Sequence, residues 1–106
     1  MSMFDYYRPA HELRCPVCFR PLRDWQGKDG PNALFVWSEG HRAPLDQVVD
    51  EEVMLSTEQR ERFTLPRSFV IYSYDCPEHQ PVEAKCETSN GVWSRTDVCP
   101  YNKSAR

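Results

Sequence analysis

The sequence has no long apolar run, and glycine is scarce, with 4 residues in 106. No segment approaches the ~20 consecutive apolar residues that a membrane-spanning helix needs. The first residues also lack the basic start and apolar stretch of a secretion signal. We therefore expect a soluble, cytoplasmic protein with no membrane partner.

An excess of positive charge is also absent, because 13 Lys and Arg face 16 Asp and Glu, for a net charge of −3. Proteins that coat phosphates in general need net positive potential on at least one face, so this class is disfavoured, although a local basic patch stays open. The length predicts one domain, at about 100–200 residues per domain. A core of this size is modest, so a metal or a disulfide would add useful stability.

The cysteines are the most informative residues. There are 5 of them, an odd number in a chain without an export signal, which favours metal binding over a disulfide framework. They lie at Cys15, Cys18, Cys76, Cys86 and Cys99.

Two segments share one layout: a metal-binding side chain, a proline, a variable residue and a second metal-binding side chain. They are Cys15-Pro16-Val17-Cys18 and Cys76-Pro77-Glu78-His79, called here the first and second knuckles. Two ligands three positions apart on a tight turn can face one ion, and proline presets φ for that turn. Three thiolates and one imidazole suit tetrahedral Zn²⁺ and leave no position open for water. The pattern predicts a structural zinc site and assigns no catalytic residue.

Two alternatives to this ligand set stay open. Cys86 can replace His79 as the fourth ligand, since it follows Cys76 on the next predicted strand, or it can pack within the sheet. Cys15 and Cys18 can form a redox dithiol, but the second knuckle then has no purpose.

The remaining thiol and imidazoles receive no role. Cys99 precedes a proline in a polar tail and is interpreted as a free thiol. His11 and His41 lie in segments rich in proline, glycine and charge, where a solvated histidine is ordinary.

Short β-branched and aromatic runs between turn residues predict a mainly β fold: a small antiparallel sheet with a zinc-ribbon-like site and one or two short helices. Strands are predicted at 3–7, 22–26, 33–38, 68–74, 82–88 and 92–98. Helix is predicted only within 45–63, with a capping-box start at Ser56 and Gln59. A three-residue loop, Ser89-Asn90-Gly91, is predicted to join the last two strands, with Gly91 left-handed and Trp93 on the charged face beside Glu87.

The zinc site is expected to close a long loop, because Cys18 and Cys76 are far apart in the sequence. We expect residues 1–100 to form a single zinc-stabilised domain and residues 101–106 a polar flexible tail.

The opening Met1-Ser2-Met3-Phe4-Asp5, the first knuckle and the segment Trp25-Gln26-Gly27-Lys28-Asp29 resemble a family of small bacterial and phage proteins known only as hypothetical proteins. Those begin Met-Gly-Met-Phe-Asp and combine a C-P-x-C-G knuckle with an aromatic-Gln-x-Lys-Asp segment. The present chain has Ser2 and Phe19 where they have glycine. The resemblance covers about the first forty residues, and it implies a zinc-ribbon-like fold and a bacterial or phage origin without implying an activity.

The favoured functional hypothesis is a protein-interaction or regulatory module, of an inhibitor-like or immunity-like kind, whose partner is another protein. A closed metal site and the absence of a recognisable catalytic set support it. Trp25, Trp37 and Trp93 are candidate contact residues, since exposed tryptophan favours interfaces, and core positions are the alternative for all three.

A nucleic-acid-binding zinc ribbon is the alternative, because basic residues surround the first knuckle with aromatic residues between them. The candidate surface comprises Arg14, Arg20, Arg23, Trp25 and Lys28. An enzyme is the third hypothesis, with Gln26, Lys28, Asp29, Glu39 and His41 as cleft residues. The sequence shows no nucleophile–base pair and identifies no small-molecule substrate.

Overall fold

The structure, a computed structural model, describes residues 4–100. It is mainly β, as the sequence predicts. The elements are β1 Asp5–Arg8, β2 Leu13–Arg14, β3 Pro21–Leu22, β4 Trp25–Gly27, β5 Phe35–Ser38, β6 Asp46–Gln47, α1 Thr57–Arg60, β7 Ser68–Ser73, β8 Val82–Ser89 and β9 Val92–Val98. The predicted tail at 101–106 and the start of the first predicted strand lie outside the described residues.

The strands form one large sheet and one small one. Seven strands lie in the order β6-β5-β1-β4-β7-β8-β9, and β2 and β3 form a separate two-stranded sheet. All neighbouring strands are antiparallel except β1 and β5, which are parallel. The predicted strand at 22–26 is therefore split between β3 and β4, which belong to different sheets.

Alternation along the central strands separates an inner face from an outer face. On β1, Asp5 and Tyr7 are buried while Tyr6 is only half-buried. The outer face carries a row of paired residues across three strands, because Tyr6 pairs with Gln26 on β4 and Gln26 pairs with Tyr72 on β7.

The sheet curls around an aromatic cluster. The ring of Trp93 on β9 lies 5.9 Å from that of Tyr7 on β1 and 5.6 Å from that of Phe69 on β7. Strands this far apart in the sheet order can share a ring cluster only if the sheet bends back on itself. The edge strand β9 meets the chain that follows β5, where the Gly40 N–H donates to the Trp93 carbonyl at 2.7 Å.

A buried carboxylate fixes the chain at the start of β5. Asp5 is fully buried and accepts N–H bonds from the backbone of Asn32, Ala33 and Phe35 and from the Trp37 indole, at 2.9–3.1 Å. Asn32 and Leu34 have positive φ values of 60° and 61°. This alternation turns successive N–H groups inward, which makes the concave anion-binding shape called a nest. The Asp5 side chain occupies that nest.

The helix prediction is correct only in its second half. Ser56 caps α1, and its capping box with Gln59 is present. Residues 45–53 form β6 and turns instead, and their apolar side chains Val48 and Val53 are exposed. The segment is extended because the Gln47 amide binds the Ala33 carbonyl and the Leu55 N–H, contacts that tie it to the edge of β5.

The predicted loop between β8 and β9 is wrong by one residue. Ser89 pairs with Val92, so the turn has two central residues, Asn90 and Gly91, at φ values of 53° and 81°. Positive φ at both positions is typical of a type I′ hairpin turn. Trp93 therefore pairs with Thr88 and is buried rather than on the charged face. A bulge next to this pair then shifts the register of the two strands.

All three tryptophans are core residues. Trp25, Trp37 and Trp93 are exposed by 2%, 1% and 0%. The core alternative is therefore correct for all three, and their candidate role in an exposed contact surface, including that of Trp25 in the basic patch, is wrong. The Trp25 indole donates to the Leu22 carbonyl inside the protein. Among residues 4–100, no helix has the length and apolar character needed to cross a bilayer.

Candidate metal centre

The first knuckle is the turn of the hairpin formed by β2 and β3. The Cys15 N–H donates to the Arg20 carbonyl at 2.9 Å, and the Phe19 N–H donates to the Cys15 carbonyl at 3.0 Å. Phe19 has φ = 63°, the left-handed conformation that glycine adopts most easily. The turn thus brings Cys15 and Cys18 to one side of the hairpin.

The second knuckle lies between β7 and β8, so two core strands fix both of its ends. Asp75, the residue before Cys76, accepts the backbone N–H groups of Arg23 and Asp24 at 2.7 and 2.9 Å. This carboxylate holds the chain that leaves the first knuckle against the second knuckle. Sequence reasoning missed Asp75, because a lone aspartate beside a knuckle carries no distinctive pattern.

The four predicted ligands meet at one point. One donor atom each from Cys15, Cys18, Cys76 and His79 lies within 4.8 Å of the others. His79 Nδ1 is 3.5 Å from Cys15 Sγ and 3.3 Å from Cys76 Sγ, and the sulfur atoms of Cys18 and Cys76 are 3.5 Å apart.

These spacings fit a tetrahedral metal ion. With metal–sulfur bonds of about 2.3 Å and metal–nitrogen bonds of about 2.0–2.1 Å, as zinc has, ligand atoms lie about 3.6–3.8 Å apart. The three distances given above, 3.3–3.5 Å, are slightly shorter, and the remaining pairs of ligand atoms lie within 4.8 Å. A disulfide requires sulfur atoms about 2.05 Å apart, and all five cysteines are free thiols. The cluster can therefore hold a metal ion.

Backbone N–H groups prepare the sulfur atoms to be thiolates. Desolvation alone raises the pKa of the Cys15 thiol, but hydrogen bonds from the Cys18 and Val17 backbone, together with the neighbouring thiols, lower that pKa below its usual value. Desolvation also raises the pKa of the Cys76 thiol, but hydrogen bonds with the His79 ring and the Glu78 backbone lower it by more. The pKa of Cys76 is therefore also below its usual value.

Cys18 behaves differently within the same group. The backbone of Arg20 lowers the pKa of the Cys18 thiol, but desolvation and the neighbouring Cys76 and Cys15 sulfurs raise it by more. A cation among the sulfurs removes this mutual repulsion, because metal-bound thiols are deprotonated.

The centre lies near the surface with two ligands inside. Cys15 and Cys76 are buried, His79 is half-buried and Cys18 is exposed. A metal ion here would therefore link the buried Cys15 and Cys76 at the edge of the core to the exposed Cys18.

Cys86 lies apart from this cluster. It is on β8, opposite Phe69, within the core. Burial raises the pKa of its thiol to about 12. His79 is thus the fourth member of the cluster, and Cys86 has the packing position that its alternation on the strand predicts.

The other candidate residues are dispersed. Arg14, Arg20, Arg23 and Lys28 are exposed, as are His11 and His41. Gln26, Lys28 and Asp29 line one groove on the outer face. Glu39 lies elsewhere and accepts bonds from the Ala10 N–H and the Thr96 hydroxyl.

Comparison with known proteins finds no family model, no curated protein and no solved structure that matches this chain.

Proposed function

We propose that this chain is a zinc-stabilised protein-interaction module, in which Zn²⁺ is held by Cys15, Cys18, Cys76 and His79 and has a structural role. The observation that carries the proposal is the convergence of three sulfur atoms and one imidazole nitrogen within 4.8 Å. Thiolate and imidazole donors in this ratio select zinc among common divalent ions, whereas calcium and magnesium prefer oxygen.

A structural role follows from the number of protein donors. Catalytic zinc keeps a coordination position for water or substrate, and four protein ligands occupy all positions of a tetrahedron. The ion instead links two turns whose cysteines Cys18 and Cys76 are 58 positions apart in the sequence. Zinc binding at such sites is worth about 10–16 kcal/mol in small zinc peptides, comparable with the whole stability of a domain.

An interaction role is supported by the surface. Large apolar side chains are exposed at the first knuckle, where Val17 is 51% and Phe19 is 65% exposed, and on the outer face, where Tyr74 is 50% exposed. Exposed apolar side chains of this size are typical of contact surfaces when they cluster.

Metal content and chelation test the structural role. Protein purified without added metal should contain one zinc per chain by elemental analysis. Chelation should abolish its near-UV circular dichroism, and readdition of zinc should restore the signal. An unchanged spectrum in protein shown to be free of zinc would contradict the proposal.

Affinity capture tests the interaction role. A tagged protein should recover a stoichiometric partner from its host, and excess untagged protein should displace that partner. Recovery of nucleic acid in place of a protein would contradict this part of the proposal.

Nucleic-acid binding at the first knuckle is a second candidate. The exposed Phe19 ring stands among exposed Arg14 and Arg20, a combination suited to base stacking and phosphate contact. Arg14 is paired with Glu12 at 2.8 Å, which reduces the local charge. Titration with single- and double-stranded oligonucleotides at low salt tests this candidate, and Kd values above about 100 μM would exclude it.

A further inference from the structure

The outer face carries a groove whose lining includes Phe4, Tyr6, Tyr72 and Tyr74, called here the aromatic groove. Two adjoining hollows of about 500 and 460 Å³ share Phe4, Gln26 and Tyr74 in their walls. Tyr72 lines the first hollow and Tyr6 lines the second. The groove therefore runs across β1, β4 and β7 with Gln26 at its centre.

We propose that the aromatic groove binds an extended, proline-rich peptide segment that carries basic residues. This inference rests on the proposed function, because it names the partner chemistry of the interaction module. Its site is distinct from the metal ligands, so the two proposals can fail separately.

The backbone spacing of two groove tyrosines is close to the length of one turn of a polyproline II helix. Tyr6 and Tyr72 pair with the same residue, Gln26, from opposite sides. Strands lie about 4.7–4.9 Å apart, so the two tyrosines are about 9.6 Å apart across the sheet. A polyproline II helix has three residues per turn and rises about 3.1 Å per residue, or about 9.3 Å per turn. Successive turns of such a peptide would meet successive rings.

The central amide supplies the polar contact that this peptide lacks. Gln26 is half-buried, and its side-chain amide forms no hydrogen bond with the described residues. A polyproline II backbone makes no internal hydrogen bonds, so its carbonyl groups need external donors. The Gln26 amide, between two rings, can donate to one of them.

The charge of the groove selects a basic partner. Its walls include the carboxylates of Asp24, Asp29 and Asp75, against one ammonium group, that of Lys28. Asp75 and Asp29 each accept backbone N–H bonds through one oxygen, Oδ2. Asp24 is exposed. This excess of carboxylates repels the phosphates of a nucleic acid and attracts arginine or lysine.

A peptide titration followed by NMR tests the proposal on the zinc-loaded, full-length protein. The probe is a capped peptide, Arg-Ala-Leu-Pro-Pro-Leu-Pro-Arg, added to ¹⁵N-labelled protein. We expect saturable shifts with a Kd below about 1 mM, including the side-chain amide signals of Gln26 and the backbone signals of Tyr6 and Tyr72. Absence of saturation, or shifts that map to the knuckles, would overturn the proposal.

Two control peptides separate shape from charge. Replacing the prolines by alanine removes the preformed helix, and replacing both arginines by glutamate reverses the charge. Each peptide should bind at least about fivefold more weakly. Equal binding of either control would overturn the proposal, as would saturable binding of a cello-oligosaccharide or an oligothymidine at this groove in place of the peptide.

Variants provide the complementary test. Tyr6→Ala and Tyr72→Ala should each weaken binding by about tenfold or more, while Val53→Ala, which truncates an exposed apolar side chain outside the groove, should leave binding unchanged. Asp24→Lys alters an exposed position and should weaken the arginine peptide while strengthening the glutamate peptide. This charge swap keeps the proposal testable if a tyrosine variant fails to fold.

Zinc analysis keeps the two proposals distinguishable. If the protein contains one bound zinc per chain but does not bind the peptide, only the proposal for the aromatic groove is rejected. If folded protein without zinc binds the peptide, only the proposal of a structural zinc ion is rejected.

Discussion

Cys18 Sγ lies 3.5 Å from Cys76 Sγ, although 58 positions separate the two residues in the sequence. The remaining two members of the cluster, Cys15 and His79, are also 64 positions apart and 3.5 Å apart in space. A metal ion at this point closes a loop that contains β3 through β7. Without such an ion, Cys15 and Cys18 would no longer be tied to Cys76 and His79, and the entropic constraint on this long loop would be lost.

Removal of a buried ligand should abolish stable folding. Cys76→Ser leaves three donors and an additional polar group at a position that is 1% exposed. We expect loss of zinc and of the cooperative thermal transition, because metal binding is worth about 10–16 kcal/mol in comparable sites. Differential scanning calorimetry with elemental analysis measures both. Cys99→Ser is the matched control and should keep the metal and shift Tm by less than about 3 °C.

Phe19, the residue that follows the first knuckle, should be replaceable by glycine with a gain in stability. Phe19 has φ = 63° and a side chain that is 65% exposed. The left-handed conformation costs about 1–2 kcal/mol for a residue with a Cβ, partly offset by the greater entropy of glycine in the unfolded chain. Phe19→Gly should therefore stabilise the zinc-loaded protein by about 0.5–1 kcal/mol in urea unfolding.

Phe19→Ala distinguishes the effect of the backbone conformation from the effect of the exposed aromatic ring. Because alanine keeps the Cβ, its free energy of unfolding should equal that of the natural protein within about 0.5 kcal/mol. Equal stabilisation by both substitutions would show that the exposed ring, rather than φ, is the unfavourable feature.

The Asp5 carboxylate should be indispensable to the start of β5. It accepts four N–H bonds in a fully buried nest. Asp5→Asn places an NH₂ group against N–H donors, so at least one donor loses its partner, and we expect a loss of about 3 kcal/mol or more. Chemical denaturation measures this loss. Asp97→Asn, in an exposed ion pair with Arg95, should cost less than about 1 kcal/mol.

The buried Cys86 thiol should make the protein sensitive to alkali. Burial raises its pKa from 9.0 to about 12, so between these values the folded state holds a proton that the unfolded state has released. Stability contributed by this group is complete below pH 9 and falls as the pH rises, by up to about 1.4 kcal/mol per pH unit. Urea unfolding at pH 9 and pH 10 should show this loss.

Cys86→Ala provides the comparison for the alkaline loss. The variant lacks the titrating thiol, so its stability should fall less than that of the natural protein between pH 9 and pH 10. Parallel losses in the two proteins would assign the effect to other groups.

Local chemistry in the sequence was enough to predict the candidate metal centre. Ligand spacing and the two prolines identified both knuckles, and the clustering of Cys15, Cys18, Cys76 and His79 agrees with that prediction. The capping box at Ser56 was equally local and is confirmed. Such features depend on a few consecutive residues, which the chain keeps in any fold.

The features that sequence reasoning missed depend on distant contacts. Residues 45–53 have apolar spacing that suggests a helix, but pairing with the edge of β5 makes Asp46–Gln47 a strand. The two-residue turn pairs Trp93 with Thr88 on the inner face, where the Trp93 ring packs against the distant Tyr7 and Phe69. The clamp that Asp75 forms on Arg23 and Asp24 likewise joins residues about 50 positions apart.

X-ray absorption at the zinc K-edge reads the ligand set of a bound zinc ion in solution. We expect one zinc per chain with three sulfur neighbours at about 2.3 Å and one nitrogen at about 2.0–2.1 Å. A shell with an oxygen from water, a shell with two sulfurs, or protein that folds without any metal would contradict this expectation.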